Sequence, residues 1–184
     1  LNSIRVIAMT SHFDNIRDMT QALIDILETT LQDPEHFHTL GKEMEVLKSY
    51  AYLMQVRHFN FFEADYEIPE EMLEYKVPRL ILQPLLENSI LHGFQGIDHK
   101  GQVVLSAAIE DGNLLLCVED NGRGMPAQRI REVLSGQVKQ NDKRDSVGIY
   151  NVHRRLQLNY GEAYGITIQS EEGRYTRMII RLPA

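Results

Sequence analysis

Three clusters of residues have the types and spacing to do chemistry. The first is Asp120-Asn121-Gly122-Arg123-Gly124-Met125-Pro126, directly after the apolar run at residues 114–118. Two glycines two apart let a backbone turn sharply and approach a ligand with no Cβ in the way. A carboxylate at Asp120 can accept from an exocyclic amine, a charge-assisted hydrogen bond. The same residues suit a plain turn, since Asp, Asn and Gly dominate turns. Neither Gly-x-x-x-x-Gly-Lys-Ser/Thr nor Gly-x-Gly-x-x-Gly occurs, which excludes a Walker-type or Rossmann nucleotide site.

The second cluster is Gln83-Pro84-Leu85-Leu86-Glu87-Asn88-Ser89-Ile90-Leu91-His92-Gly93, where Glu87, Asn88 and His92 interrupt an apolar helix pattern. Asn88 and His92 are four apart and share a helix face, with Glu87 one position round. Polar groups at the edge of an apolar face need partners. The Asn88 oxygen suits Mg²⁺, a hard ion that keeps most of its waters. Glu87 can orient or deprotonate a nucleophile. His92 by itself reads first as a histidine near a helix end, bonding its last carbonyls. The third cluster is Ser146-Val147-Gly148-Ile149-Tyr150-Asn151-Val152, after a polar loop holding Lys139, Lys143 and Arg144. A small-residue turn opening a helix offers amides and a positive dipole end to a phosphate, although a capped helix with solvated basic residues has the same pattern.

The elements that must position these clusters are legible in the periodicity. Ile16, Met19, Leu23, Ile26 and Leu27 lie on one helix face after Asp14, a candidate N-cap, and Asp33-Pro34 ends that helix. From Thr39, a second candidate cap, Leu40, Met44, Leu47, Ala51 and Met54 repeat at 4-3-4-3, a seam for packing against another helix. Residues 1–57 therefore read as a helical hairpin. It either closes the domain's own core or, because an isolated hairpin cannot bury both seams, forms half of a dimerising bundle.

After Arg57 the period changes. Residues 59–68 suggest a strand and 78–92 a helix, which Pro84 either kinks or starts. Residues 103–109 and 114–118 make a hairpin around Asp111-Gly112, and 126–134 a short helix. Residues 135–147 read as a polar loop, 148–160 as a helix ended by Gly161, and 166–169 and 177–182 as strands. About five strands with helices on one face make a two-layer α/β sandwich at 58–184, and an α+β chain overall.

Composition bounds the rest. The chain has 184 residues and a net charge of −7 without a basic stripe, which argues against wrapping nucleic acid. Its lone cysteine, Cys117, excludes a disulfide framework and a cysteine-ligated zinc site and suits a reducing compartment. No apolar run approaches ~18 residues, so no segment spans a bilayer. The opening Leu1-Asn2-Ser3-Ile4 lacks a starting Met and reads as mid-helix, as in a piece of a longer protein.

In order and spacing, the three clusters together resemble the Bergerat ATP-binding fold of sensor histidine kinases, Hsp90, type II topoisomerases and mismatch-repair ATPases. The stretch from Pro84 to Gly93 is similar to the N box of one bacterial histidine-kinase class, the autolysin-sensor-like one with an Asn-Pro-His-Phe acceptor motif. Tyr52-Leu53-Met54-Gln55-Val56-Arg57-His58-Phe59 and the opening residues are similar to that class too. The resemblance implies that Asn88 holds Mg²⁺ against the phosphates of ATP and that Asp120 accepts from the adenine amine. It implies that Gly122 and Gly124 shape the adenine pocket with Met125 beside them, and that Thr176 reaches it through its hydroxyl. Gly148 and Asn151 would hold phosphates, joined by His92 and Lys143, with residues 136–147 as a lid.

The implied chemistry is γ-phosphoryl transfer to histidine and on to a response-regulator aspartate, with Glu87 activating the acceptor. Further implications are a homodimer through residues 1–57, no nucleic-acid partner, and a bacterial plasma-membrane protein whose sensor part precedes this cytoplasmic portion. Ser146 departs from the first glycine of the usual Gly-x-Gly. His12, His36, His38, His58, His92, His99 and His153 all lack the acceptor context, so the chain as given should bind ATP without phosphorylating itself. The competing expectations are a hydrolytic ATPase of the same fold and a degenerate dimeric scaffold.

Overall fold

The computed structural model describes residues 14–31, 36–137 and 143–184, with backbone alone at 29–31 and 143–146. Strands β4 (Gly101–Glu110) and β5 (Asn113–Asp120) form an antiparallel hairpin. Asp111 and Gly112 take φ of +50° and +73° at its turn, the left-handed pair whose twist matches the flanking strands. β5 pairs in turn with β7 (Tyr175–Pro183), and β7 with β6 (Gly165–Glu171). β2 (Phe62–Glu67) lies parallel to β4 at the other edge, giving the order β2-β4-β5-β7-β6.

Side chains alternate between the faces of a strand, and the pattern is strict here. Leu114, Leu116 and Val118 of β5 and Leu182, Ile180 and Met178 of β7 are buried on one face. Three helices cover that face: α2 (Leu40–Arg57), α3 (Gln83–Asn88) and α5 (Lys143–Tyr160). Their Leu40, Met44, Leu47, Leu85, Leu86, Ile149, Val152 and Leu156 join the sheet residues in one core. This is the expected helices-on-sheet layering. A shorter helix, α4 (Ala127–Ser135), follows β5, and α1 (Asp14–Leu31) lies along α2, where Ser49 Oγ donates to Asp25 Oδ2 at 3.3 Å.

Several boundaries differ from the sequence reading. The α2 seam from Leu40 to Met54 closes the domain's own core, while Ile16, Leu23 and Leu27 of α1 are left partly exposed. Phe59 and Asn60 adopt φ of +54° and +56°, reversing the chain, so β2 begins only at Phe62. Two short strands, β1 (Phe37–Thr39) and β3 (Lys76–Pro78), pair in a second small sheet that has no alternation long enough to read. Pro84 starts α3 rather than kinking it, as proline does where no N–H partner exists. The chain then widens into a π turn at Ser89–Gly93. α5 begins at Lys143, five residues before Gly148, so Gly148 lies inside the helix and not at its opening.

Leu116 is fully buried on the central strand. Leu116→Ala should lower stability by ~2–5 kcal/mol through a cavity the rigid sheet cannot close, read as a lower denaturant midpoint at unchanged slope.

Candidate functional site

The inward rows of β5 and β7 both end on a polar residue, Asp120 and Thr176, which are direct cross-strand partners. Each is 1% exposed. The Asp120 carboxylate accepts from Ser89 Oγ at 2.6 Å and from the Gly122 N–H at 3.0 Å, and the Thr176 backbone N–H also reaches it. Burial nonetheless pushes its pKa above the ordinary 3.8, the donors only partly offsetting the loss of water. The Thr176 hydroxyl lies 3.3 Å from Ser170 Oγ.

Glycine lets the surrounding backbone close in. A Cβ on Gly122 would lie 2.3 Å from the Gly93 carbonyl oxygen, so only glycine allows the turn after β5 to cross the π turn. Arg123 N–H donates to that same Gly93 oxygen at 2.8 Å. Gly124, at φ +70°, passes the β6–β7 turn so closely that a Cβ would meet Glu171 O at 2.2 Å. Met125 N–H donates to Ser170 Oγ at 2.8 Å, which pins the loop to β6.

These contacts frame a cleft of about 520 Å³. Asn88, His92, Gly124, Met125 and Thr176 line it, so five of the expected site residues meet there, with Arg123, Arg129 and Glu172. Asp120 and Gly122 do not line it themselves but sit behind two lining residues, both against Gly93 and Asp120 also opposite Thr176. Asn88 is 8% exposed, and its buried Nδ2 has no hydrogen-bond partner. Such a group is costly unless something binds there.

The remaining expected residues lie elsewhere. Glu87 sits where α3 meets α2, accepting from Gln83 Nε2 at 2.9 Å and paired with Tyr50. Burial first, then the Glu87 charge, pushes the Tyr50 hydroxyl well above its ordinary value of 10. Gly148 packs against Pro84, where a Cβ would come within 3.1 Å of the ring, and Asn151 is exposed. The Lys143 side chain, and residues 138–142 of the expected lid, fall outside the described residues. Sequence reasoning passed over Ser89. Its partner Asp120 is 31 residues away, and a serine beside an asparagine on a helix carries no signal of that pairing.

Residues 75–184 match the family described as histidine kinase-, DNA gyrase B-, and HSP90-like ATPase. The chain belongs to this ATPase family. Residues 1–62 match a second family, described as histidine kinase. Among characterised proteins, sensor histidine kinase YesM of Bacillus subtilis is 28% identical over 183 residues, covering 100% of this chain and 30% of its own length. BtsS of Escherichia coli gives the same figures, 28% and 30%. YpdA of Escherichia coli is 34% identical over 136 residues, covering 74% of this chain and 23% of that protein. The chain thus spans 30% or less of the length of these relatives.

Solved structures agree on the fold. The histidine kinase domain of the Erythrobacter litoralis EL346 blue-light activated kinase superposes with a TM-score of 0.58 at 16% identity, covering 95% of this chain and 82% of that one. The catalytic domain of histidine kinase ThkA gives 0.60 at 13% identity, covering 80% of this chain and 93% of that one. The mixed α and β architecture of this ATPase family is the one described above.

Because its folded-state pKa is raised, an ionised Asp120 destabilises the unliganded fold. Stability from this group is complete below 3.8 and is lost as pH rises through the raised value. In thermal melts at pH 7 without ligand, Asp120→Asn should therefore melt at or above the parent, with the difference shrinking towards pH 4.

Proposed function

We propose that this chain is the Mg²⁺–ATP-binding catalytic region of a sensor histidine kinase, of the autolysin-sensor-like class with an Asn-Pro-His-Phe acceptor. The observation that supports it best is the polar pair Asp120–Thr176 closing two apolar rows beneath a cleft walled by Asn88 and Met125. A carboxylate has about four acceptor positions. Ser89 and Gly122 occupy two and the Thr176 N–H stands near a third, leaving room for the amino group of adenine. Met125 offers the base an apolar wall. The absent Cβ atoms of Gly122 and Gly124 keep the backbone tight behind it.

Asn88 fits the metal end of the nucleotide. It stands at the cleft wall, its amide incompletely bonded, on the same helix as Glu87. No cluster of three or more His, Cys, Asp or Glu occurs among the described residues, so an ion here would rely on Asn88 and phosphate oxygens. Bound Mg²⁺ would neutralise phosphate charge, and phosphoryl transfer of this kind depends on positioning and electrostatics more than on covalent participation by the protein. Glu87, outside the cleft and held by Gln83 and Tyr50, is the candidate base for an acceptor imidazole brought up from a helical partner. The partly exposed Ile16, Leu23 and Leu27 of α1 suit a second copy of the chain. Among the described residues no helix is long and apolar enough to cross a membrane. Sensing, membrane attachment and transfer to a response regulator are proposed for the whole protein.

With Mg²⁺ and a non-hydrolysable ATP analogue at 100 times Kd, the parent should gain ~2.7 kcal/mol, a shift of several degrees. Asp120→Asn should lose that shift. No shift in the parent at millimolar nucleotide would reject ATP binding, and steady phosphate release would favour a hydrolytic ATPase. In the full-length protein, Glu87→Gln should slow autophosphorylation ~10²–10⁴-fold. A near-normal rate of phosphohistidine formation would remove Glu87 from the mechanism.

A further inference from the structure

The turn between β3 and α3, residues 79–82, contributes no lining residue to the cleft, yet a buried group and a half-buried one from two other helices hold it. Glu43, on α2, is 2% exposed, and its carboxylate accepts four hydrogen bonds. Oε1 accepts from the Ile81 and Leu82 N–H groups at 2.8 and 2.9 Å. Oε2 accepts from the Leu80 N–H at 2.9 Å and from His38 Nε2 at 2.7 Å. On the opposite side of the same turn, Arg155 of α5 donates Nη2 to the carbonyls of Arg79 at 2.7 Å and Leu80 at 3.2 Å. Leu80 itself is at φ +54°, a strained conformation for a branched residue that persists only when its surroundings impose it.

A buried carboxylate is costly unless every lone pair is used. This one is satisfied entirely by a single turn and its neighbouring histidine, so its bonding is directed at the shape of that turn. Two residues past Leu82, Pro84 starts α3, and Asn88 follows on the same helix. At the other end α3 is tied to the sheet through Ser89 and Asp120. The helix is thus pinned at its start to α2 through Glu43, beside the Glu87–Tyr50 contact, and at its end to β5. The adenine end of the cleft lies at the second pin, where Asp120, Gly122 and Thr176 belong to the sheet and its loop and Met125 is hydrogen-bonded to Ser170 of β6.

We propose that Glu43 is a positioning residue for the nucleotide phosphates: by fixing the 80–82 turn to α2 it sets the orientation of α3, and hence of Asn88, while leaving the adenine end in place. The proposal rests on the ATP-binding reading above. It makes α2, the helix packed against α1, a mechanical input to the phosphate end of the cleft, and by linkage a bound Mg²⁺–nucleotide must tighten the α2–α3 junction in return.

Titration calorimetry with Mg²⁺–AMP-PNP, and amide-shift titration with adenosine, separate the two ends. Glu43→Gln keeps one acceptor oxygen but sets an amide N–H₂ against the Leu80 N–H. It should weaken Mg²⁺–AMP-PNP ~10-fold, the loss typical of a disturbed supporting contact, while adenosine affinity stays within about twofold. Equal losses for both ligands, or no loss for either, would overturn the proposal. If Glu43→Gln does not fold, Arg155→Lys decides, since it loosens the same turn from the α5 side. The same selective loss, ~3-fold, is expected, and unchanged or uniform affinities overturn the idea. A parent chain that binds neither ligand would overturn the ATP-binding reading itself, and this proposal with it.

Discussion

Ser89 and Asp120 come from different layers of the molecule, and the 2.6 Å hydrogen bond between them joins those layers at the cleft. Asp120 ends the inward row of β5, where the next residue towards the core is Val118. A carboxylate in that position has lost almost all its water, and the Ser89 hydroxyl, the Gly122 N–H and the Thr176 N–H are what make its burial tolerable. Remove the helix that brings Ser89 and the acid is left short of donors. Remove the acid and α3 loses its attachment to the sheet. The cleft exists because both conditions hold together.

Close backbone approach is the second requirement. The π turn at Ser89–Gly93 brings Gly93 against Gly122, and the loop after β5 is then sealed by Arg123 N–H on the Gly93 carbonyl. A wider turn at this place moves the chain sideways without ending the helix abruptly, and such turns recur at functional sites. Backbone at Gly93 and Gly124 thus forms part of the cleft surface, with the Asp120 carboxylate packed behind Gly93. Under the proposed function, that surface takes the flat adenine ring, whose amino edge Asp120 reads.

Stability and binding pull in opposite directions at Asp120. Under the proposed function, the same burial that raises the Asp120 pKa makes its carboxylate a strong acceptor for a ligand amine. The unliganded fold bears an electrostatic penalty that the ligand can relieve. Glu43 is the contrasting case, a buried carboxylate whose four hydrogen-bond donors all come from the protein. Under the proposed function, this contrast separates a structural acid, Glu43, from a binding one, Asp120.

How far the sequence alone carries can be judged at particular residues. Local periodicity determined the layering, the β4–β5 hairpin at Asp111-Gly112 and the cap at Thr39, because turn chemistry and alternation act over a few residues. It also marked Asn88, Asp120, Gly122 and Gly124, since polar residues and paired glycines stand out against apolar runs. Tertiary structure alone decided that the α2 seam would close the domain's own core, because a 4-3-4-3 pattern fits a sheet face as well as a second helix. It alone paired Ser89 with Asp120 and Glu43 with a turn 37 to 39 residues away. Those bonds depend on how layers meet, and no spacing within a single element encodes the distance between two layers.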